Sequence, residues 1–299
     1  MTQWIDSITG TPEGARVATM LALTAAILHA VFGALQKGRH DPWISRAAID
    51  LCYGLIALPL AIFVVPFPEP FMWPVFGGAM LIHIAYKLSQ AATYQRGAYT
   101  VVYPVVRGTG PLFTVIAAGL VFHEHFNAVQ WLGVLTLVSG ILGLAAFNWQ
   151  RLTIGRDTLR PALMWAVMTG MIVAAYTTYD AWGIRLSPDP FSFLIWFFLL
   201  DSLFMPIILH RRLLSLSGAE ARPLMARGAL GAVVAYASFG SIMLATRIDD
   251  VGRAAVLRET STVFAALVGW LILGEKVGPV RTLLMAAIAA GAVIVEFAS

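Results

Sequence analysis

The feature that most constrains this chain is a succession of long apolar runs, separated only briefly by charges, prolines and turn residues. A helix that crosses a bilayer needs roughly 20 mainly apolar residues. The connections between the runs are too short to form a soluble domain. We predict a membrane helix over each of ten stretches: 17–36, 44–65, 72–94, 98–122, 128–147, 162–184, 191–210, 227–246, 254–274 and 279–297.

The composition excludes most other classes of protein. Only 12% of the 299 residues are charged, whereas a soluble domain carries about 25%. With one cysteine, Cys52, the chain has no disulfide framework. The net charge of +4 comes from scattered basic residues rather than one basic face, so we expect no nucleic-acid partner. The first 16 residues include Asp6 and Glu13 and do not resemble a cleavable signal peptide.

The sequence contains an internal repeat in its fourth and fifth predicted helices. The segment that begins at Arg107 aligns without a gap on the segment that begins at Arg258. The aligned pairs are Arg107 and Arg258, Thr109 and Thr260, Phe113 and Phe264, Glu124 and Glu275, Val129 and Val280, and Gly140 and Gly291. We therefore predict two five-helix units, residues 1–150 and 151–299. Because five is odd, the second unit enters the membrane with opposite orientation, which is typical of secondary transporters.

These residues resemble the ten-helix, EamA-type permeases of the drug/metabolite transporter superfamily. The resemblance is carried by Gly110-Pro111-Leu112-Phe113, Gly119, Glu124, Gln130-Trp131-Leu132-Gly133 and Ser139-Gly140, and in the second copy by Phe264, Gly274-Glu275-Lys276 and Gly291. It implies an all-α polytopic membrane protein whose inverted repeats surround a central cavity and work by alternating access. Members move amino acids, other metabolites, drugs or nucleotide sugars. The connection 66–74 and the C-terminus depart from the family because they lack basic residues.

The basic residues predict an orientation. Three of the 20 Lys and Arg, namely Lys87, Arg107 and Arg258, lie deep inside predicted helices. The other 17 lie in connections or at helix ends, and they fall unequally on the two sides. The N-terminus and the even-numbered connections hold 4, and the odd-numbered connections hold 13. The richer side faces the cytoplasm under the positive-inside rule. We therefore predict both termini outside the bacterial inner membrane, opposite to the arrangement that the resemblance implies.

The third predicted helix carries a polar stripe. His83, Lys87, Gln90 and Tyr94 share one helix face, with Tyr86 at its edge. Ionisable groups inside a membrane are costly and mark functional sites by default. We predict that the stripe lines a substrate cavity, with a buried salt bridge of Lys87 or a packed His83 as the alternative.

The fourth predicted helix places Tyr99, Tyr103 and Arg107 on one face and then meets Gly108, Gly110 and Pro111. Proline removes a backbone hydrogen bond, and glycine permits close approach. We predict a hinge at these three residues. Packing of small residues is an equally good reason for the glycines.

The buried charges predict the substrate. Guanidinium groups bind carboxylate or phosphate through two donors, which suits Arg107 and Arg258 to an anionic group. The alternative is that Arg107 pairs with Asp50, or Arg258 with Asp201. Glu259 and Asp180 are candidates for proton coupling. The predicted substrate-binding residues are His29, His83, Tyr86, Lys87, Gln90, Tyr94, Tyr99, Tyr103, Arg107, Tyr176, Tyr179 and Arg258.

These features together predict a secondary active transporter, an exporter or exchanger, for a small polar metabolite such as an amino-acid-like zwitterion or an organic anion. Tyrosine rings beside Asp180 would suit an ammonium group. A flippase for a lipid or lipid-phosphate headgroup is the alternative. No enzymatic motif is present: His123-Glu124-His125 lacks the HExxH spacing of a zinc protease. We expect the lipid bilayer and a small-molecule substrate as partners, with no cofactor and no metal.

Overall fold

A computed structural model describes residues 1–36, 41–97, 99–151, 159–271 and 278–298. All the regular secondary structure in these ranges is helical. The helices are α1 (Thr2–Ile8), α2 (Pro12–Gln36), α3 (Pro42–Phe63), α4 (Met72–Arg96), α5 (Tyr99–Phe122), α6 (Ala128–Gln150), α7 (Leu159–Leu186), α8 (Pro190–Asp201), α9 (Phe204–Leu214), α10 (Gly218–Ile248), α11 (Val251–Arg258), α12 (Ser261–Leu271) and α13 (Pro279–Phe297).

The prediction of an all-α polytopic membrane protein is confirmed. Over the described ranges, seven helices are long and apolar enough to cross a membrane, and α8 with α9, bent by 41°, make an eighth if they are one broken span. The two predicted spans outside this set lie on α4 and on α11 with α12. The polar stripe lowers the hydropathy of α4, and the helix is interrupted between α11 and α12. The count of ten stays a prediction.

The described chain forms two compact units. Unit 1 contains Met1–Met80 and Trp182–Ile248, and unit 2 contains Leu81–Ala181 and Asp249–Ser299. Each unit takes helices from both sequence halves. The boundaries 1–150 and 151–299 therefore describe the predicted sequence repeats, and they stay a prediction of domain organisation.

In unit 1, α10 packs against α2 and α3. The contact with α3 depends on Gly228, because a β-carbon at this position would lie 3.0 Å from the carbonyl oxygen of Ala48. The hydroxyl of Ser238 on α10 donates to the carbonyl of Ala25 on α2 at 2.9 Å. Small residues let these backbones approach closely, as is common between membrane helices.

In unit 2, α6 and α13 are in backbone contact. A β-carbon at Gly133 would lie 2.8 Å from the carbonyl oxygen of Gly291. A β-carbon at Gly291 would lie 2.5 Å from the carbonyl oxygen of Gly133, and one at Gly140 would lie 2.9 Å from that of Leu284. The aligned pair Gly140 and Gly291 of the sequence repeat therefore lies in this helix contact.

In unit 1, contacts between connecting segments agree with the predicted sides. Arg247, in the last turn of α10, donates to the carbonyls of Ile184 and Ser187 and pairs with Asp6 at 2.9 Å. These residues belong to the N-terminus or lie in or next to even-numbered connections. Two odd-numbered connections meet at the ion pair between Arg212 and Asp41, which is 3.0 Å long.

Unit 2 separates its connections in the same way. Asn127, before α6, donates to the carbonyl of Ala298 at the C-terminus at 2.6 Å. On odd-numbered connections, Arg281 donates to Asn148 at 3.1 Å. These contacts follow the predicted division into two sides, and the side that faces the cytoplasm stays a prediction.

The orientation is tested by labelling single cysteines. Ser7 and Gly218 are both exposed and lie on opposite predicted sides, and the native Cys52 is buried and can be replaced by alanine. A membrane-impermeant maleimide should label Ser7→Cys in intact cells, and Gly218→Cys only after permeabilisation. Protection of Ser7→Cys together with labelling of Gly218→Cys would contradict the predicted orientation.

Candidate functional site

Unit 2 holds a charged triad of Arg107, Arg258 and Glu259. Nε of Arg107 lies 2.8 Å from a carboxylate oxygen of Glu259, as an ion pair without an aligned hydrogen bond. A second nitrogen of Arg107 donates to the hydroxyl of Ser261 at 2.8 Å. Nε of Arg258 lies 3.8 Å from the other carboxylate oxygen. The two arginines that the repeat aligns therefore share one acid, and all three residues of the triad are buried.

The triad lies at the interruption between α11 and α12. The amide of Thr262 donates to the carbonyl of Glu259 at 3.1 Å, and that of Val263 to Thr260 at 2.9 Å. These bonds span three residues, as in a 3₁₀ turn, rather than the four of an α-helix. Interrupted membrane helices are a feature of substrate sites in secondary transporters.

Sequence reasoning missed this interruption and predicted one in the first copy of the repeat. α5 is helical through Gly108, Gly110 and Pro111. A β-carbon at Gly108 would lie 3.2 Å from Ile141, and one at Gly110 would lie 3.2 Å from Val173. Both glycines thus lie in close packing, and their role as a hinge stays a prediction. The signal for the true break was the polar run 259–262, which aligns with 108–111.

A second group of polar side chains in unit 2 surrounds His83 on α4. Nε2 of His83 lies 2.9 Å from a carboxylate oxygen of Asp180 on α7, and both residues are buried. The ring of Tyr176 contacts the rings of His83 and Tyr86, with centroids 4.8 and 5.0 Å apart. Nε2 of Gln90 donates to the hydroxyl of Tyr86 at 2.6 Å. We call His83, Tyr86, Gln90, Tyr176 and Asp180 the His83 cluster.

Tyrosines interact electrostatically with the charged triad, and two of them belong to the His83 cluster. Arg107 interacts electrostatically with Tyr103, Tyr176 and Tyr86. Tyr103 also interacts with Glu259 and Arg258. Unit 2 therefore brings together the tyrosines of α4, α5 and α7 with the buried arginines. The predicted residues Lys87, Tyr94 and Tyr179 lie on the same helices, with Lys87 buried and the two tyrosines half-buried.

Two predicted substrate-binding residues are not placed in this group. His29 belongs to unit 1, where its ring contacts Phe32 with centroids 6.4 Å apart. Tyr99 begins α5, but its side chain lies outside the described residues. In unit 1, Asp50 lies 2.8 Å and Asp201 3.9 Å from Arg46. The predicted alternatives were Asp50 for Arg107 and Asp201 for Arg258. In the structure both arginines lie beside Glu259 instead.

The N-terminus of α11 is capped by a residue far away in the sequence. Both carboxylate oxygens of Glu124 accept backbone hydrogen bonds, from Val251 at 2.7 Å and from Gly252 at 2.9 Å. His123 precedes it with φ of 57°, in the left-handed region, where the chain turns sharply after α5. Glu124 thereby attaches the turn after α5 to the short helix that ends in Arg258.

Replacing Glu124 by alanine should destabilise unit 2. The change leaves two helix-terminal amides without their acceptor, a loss worth about 1–2 kcal/mol for a helix cap. Thermal unfolding in detergent measures the effect, with Glu69→Ala as the control because that acid is exposed. Equal melting temperatures of the two variants would contradict the capping role.

The fold and the buried charges are those of a polytopic helical membrane protein of transporter type. The chain belongs to the EamA-like transporter family, whose sequence model matches residues 16–146 and again residues 160–297. The two matches agree with the two copies of the repeat. The predicted resemblance is thus confirmed, and the chain is an integral membrane protein with a transport function.

The proteins similar to this chain include one curated bacterial protein and one solved structure. The uncharacterized protein y4nH of Sinorhizobium fredii is 28% identical over 106 residues, which are 34% of this chain and 91% of that protein. A solved structure described only as the crystal structure of a protein has a TM-score of 0.76 at 17% identity. That match covers 94% of this chain and 99% of the solved one, and it supports the fold alone.

Proposed function

We propose that this protein is a secondary active transporter, an exporter or exchanger, that moves a small polar metabolite by alternating access across the bacterial inner membrane. The observation that carries the proposal is the buried triad of Arg107, Arg258 and Glu259 at an interrupted helix of a transporter-family chain. Buried charges inside a membrane protein are costly and are kept for function. Amino-acid-like zwitterions and organic anions are the proposed substrates.

Each end of such a substrate has a proposed counterpart in unit 2. The excess positive charge of the arginines in the triad would attract the anionic end. The faces of Tyr86 and Tyr176, beside Asp180, would attract an ammonium group. The proposed lining of the pathway in unit 2 consists of Lys87, Gln90, Tyr94, Tyr103 and Tyr179. Tyr99 and His29 stay predicted substrate-binding residues.

Asp180 and Glu259 are proposed to couple transport to protons. Asp180 contacts an imidazole, the side chain that exchanges protons most readily near neutral pH. Asp180→Asn and Glu259→Gln should each abolish accumulation driven by a pH gradient in proteoliposomes, because an amide cannot carry the proton.

The control for coupling is exchange of substrate at equal pH on both sides. A folded variant whose proton carrier has become an amide should lose uphill accumulation but keep this exchange, whereas a damaged protein loses both. Because Glu259→Gln is expected to be less stable, both of its assays are run below the melting temperature of that variant. Uphill accumulation that remains unchanged in both variants would exclude these acids as carriers.

The substrate class is tested by thermal-shift measurements on the purified protein with amino acids, organic acids, phosphate esters and lipid headgroups. Stabilisation by water-soluble zwitterions or organic anions supports the proposed function, and flux of that compound into proteoliposomes completes the test. Stabilisation by acyl-bearing ligands alone favours the alternative, a flippase for a lipid or lipid-phosphate headgroup.

A further inference from the structure

The two arginines of the triad have different surroundings. Arg107 is held twice, by the 2.8 Å ion pair with Glu259 and by the 2.8 Å hydrogen bond to Ser261. Arg258 reaches Glu259 only at 3.8 Å. Within the described ranges the buried Nε of each arginine lacks a hydrogen-bond partner, but that of Arg107 lies 2.8 Å from the carboxylate, whereas that of Arg258 has no such close contact. Only 6% of Arg258 is exposed. A buried charged donor without a partner loses its solvation and gains nothing in return.

The triad also has an excess of positive charge. Two guanidinium groups, both always protonated in proteins, face the single carboxylate of Glu259. Glu259 is 1% exposed, so water does not screen the triad effectively. One unit of positive charge is therefore left over among these described side chains, and it lies at Arg258.

We propose that Arg258 binds a carboxylate group of the transported molecule, while Arg107 is a positioning residue that fixes Glu259. This inference rests on the proposed transport function and specifies the chemistry of its substrate. A carboxylate carries one negative charge and neutralises the excess. A phosphate monoester carries about −1.5 to −2 at pH 7 and would leave a net negative charge in a buried place.

The proposal is tested by modifying arginines with phenylglyoxal in the purified full-length protein and mapping the adducts by mass spectrometry. Arg258 should react about tenfold faster than Arg107, which corresponds to about 1.4 kcal/mol of extra protection by the ion pair and the hydrogen bond. Propionate should slow the modification of Arg258 more than ethyl phosphate or dimethyl phosphate at equal concentration.

Several results would overturn the proposal. They are faster modification of Arg107, no modification of either arginine, no protection by propionate, and protection by ethyl phosphate or dimethyl phosphate that equals that by propionate. Equal protection by dimethyl phosphate, a model of a lipid phosphodiester, would instead favour the flippase alternative. Flux into proteoliposomes is measured separately, so a transporting protein whose Arg258 is not protected refutes this inference without refuting transport.

A pair of variants tests the same difference without any ligand. Arg258→Gln should keep or raise the melting temperature, because it removes the excess charge. Arg107→Gln should lower the melting temperature, because it breaks the short ion pair and the hydrogen bond to Ser261. If Arg258→Gln lowers the melting temperature more than Arg107→Gln does, Arg107 is the arginine with the uncompensated charge, and the proposal is overturned.

Discussion

Replacing Gly291 by alanine is expected to separate α13 from α6 and to lower the melting temperature strongly. The added β-carbon would lie 2.5 Å from both the carbonyl oxygen of Gly133 and the amide nitrogen of Leu137. These are backbone atoms, so no side chain can rotate away, and the helices must move apart. Overpacking costs about 1–3 kcal/mol in soluble cores, occasionally more, and we expect at least the upper end here.

The chain offers matched controls for this substitution. Gly77 on α4 and Gly240 on α10 are also helical, but a β-carbon at either position would meet no atom within 4 Å. Alanine there should leave stability unchanged or raise it, since alanine favours a helix by about 1 kcal/mol over glycine. Thermal unfolding in one detergent compares the three variants. If Gly291→Ala has the same melting temperature as the two control variants, the close contact between α6 and α13 is refuted.

Replacing Glu259 by glutamine is expected to have the second large effect, because it removes the acid that two buried arginines share. Removing one partner of a buried ion pair lowers the free energy of unfolding by about 3–5 kcal/mol, since the charge of the other partner is left without compensation. Here two guanidinium groups remain, and they also repel each other. The melting temperature of the purified protein should fall sharply, and the fall should exceed that for Glu13→Gln, an exposed acid.

A double variant separates the charge effect from a loss of packing. Arg107→Met with Glu259→Gln removes the short ion pair as a whole and leaves one arginine, so it should be more stable than Glu259→Gln alone. The single variants Arg107→Met and Glu259→Gln complete the comparison. If their losses of stability add up to the loss in the double variant, Arg107 and Glu259 do not interact, contrary to the 2.8 Å separation of their side chains.

The sequence predicted the helices well, because an apolar run is a local property of the chain. The described part of every predicted membrane segment is mostly helical, with non-helical residues at 64–65, 202–203 and 259–260. The alignment of Arg107 with Arg258 indicated two related positions, and the structure places both at the same acid. The polar stripe of α4 was predicted from spacing alone, and its partner Asp180 was already on the list of candidate residues.

Three features of the candidate site were beyond sequence reasoning. The identity of the acid between the arginines was missed, with Asp50 and Asp201 as the predicted alternatives. The break before Ser261 was missed because glycine and proline signals are stronger in the first copy of the repeat. The attachment of Glu124 to α11 was missed because a hydrogen bond across 127 residues has no local signal.

The sequence by itself determined that this protein is a helical membrane protein with an internal repeat and a few costly charges inside its apolar segments. It did so because hydropathy and periodicity depend on each segment alone. The tertiary structure decided which charges lie close enough to neutralise one another and how closely each arginine approaches the shared acid. That outcome depends on distances between side chains of different helices, such as 2.8 Å for Arg107 and 3.8 Å for Arg258 to Glu259, and packing alone sets those distances.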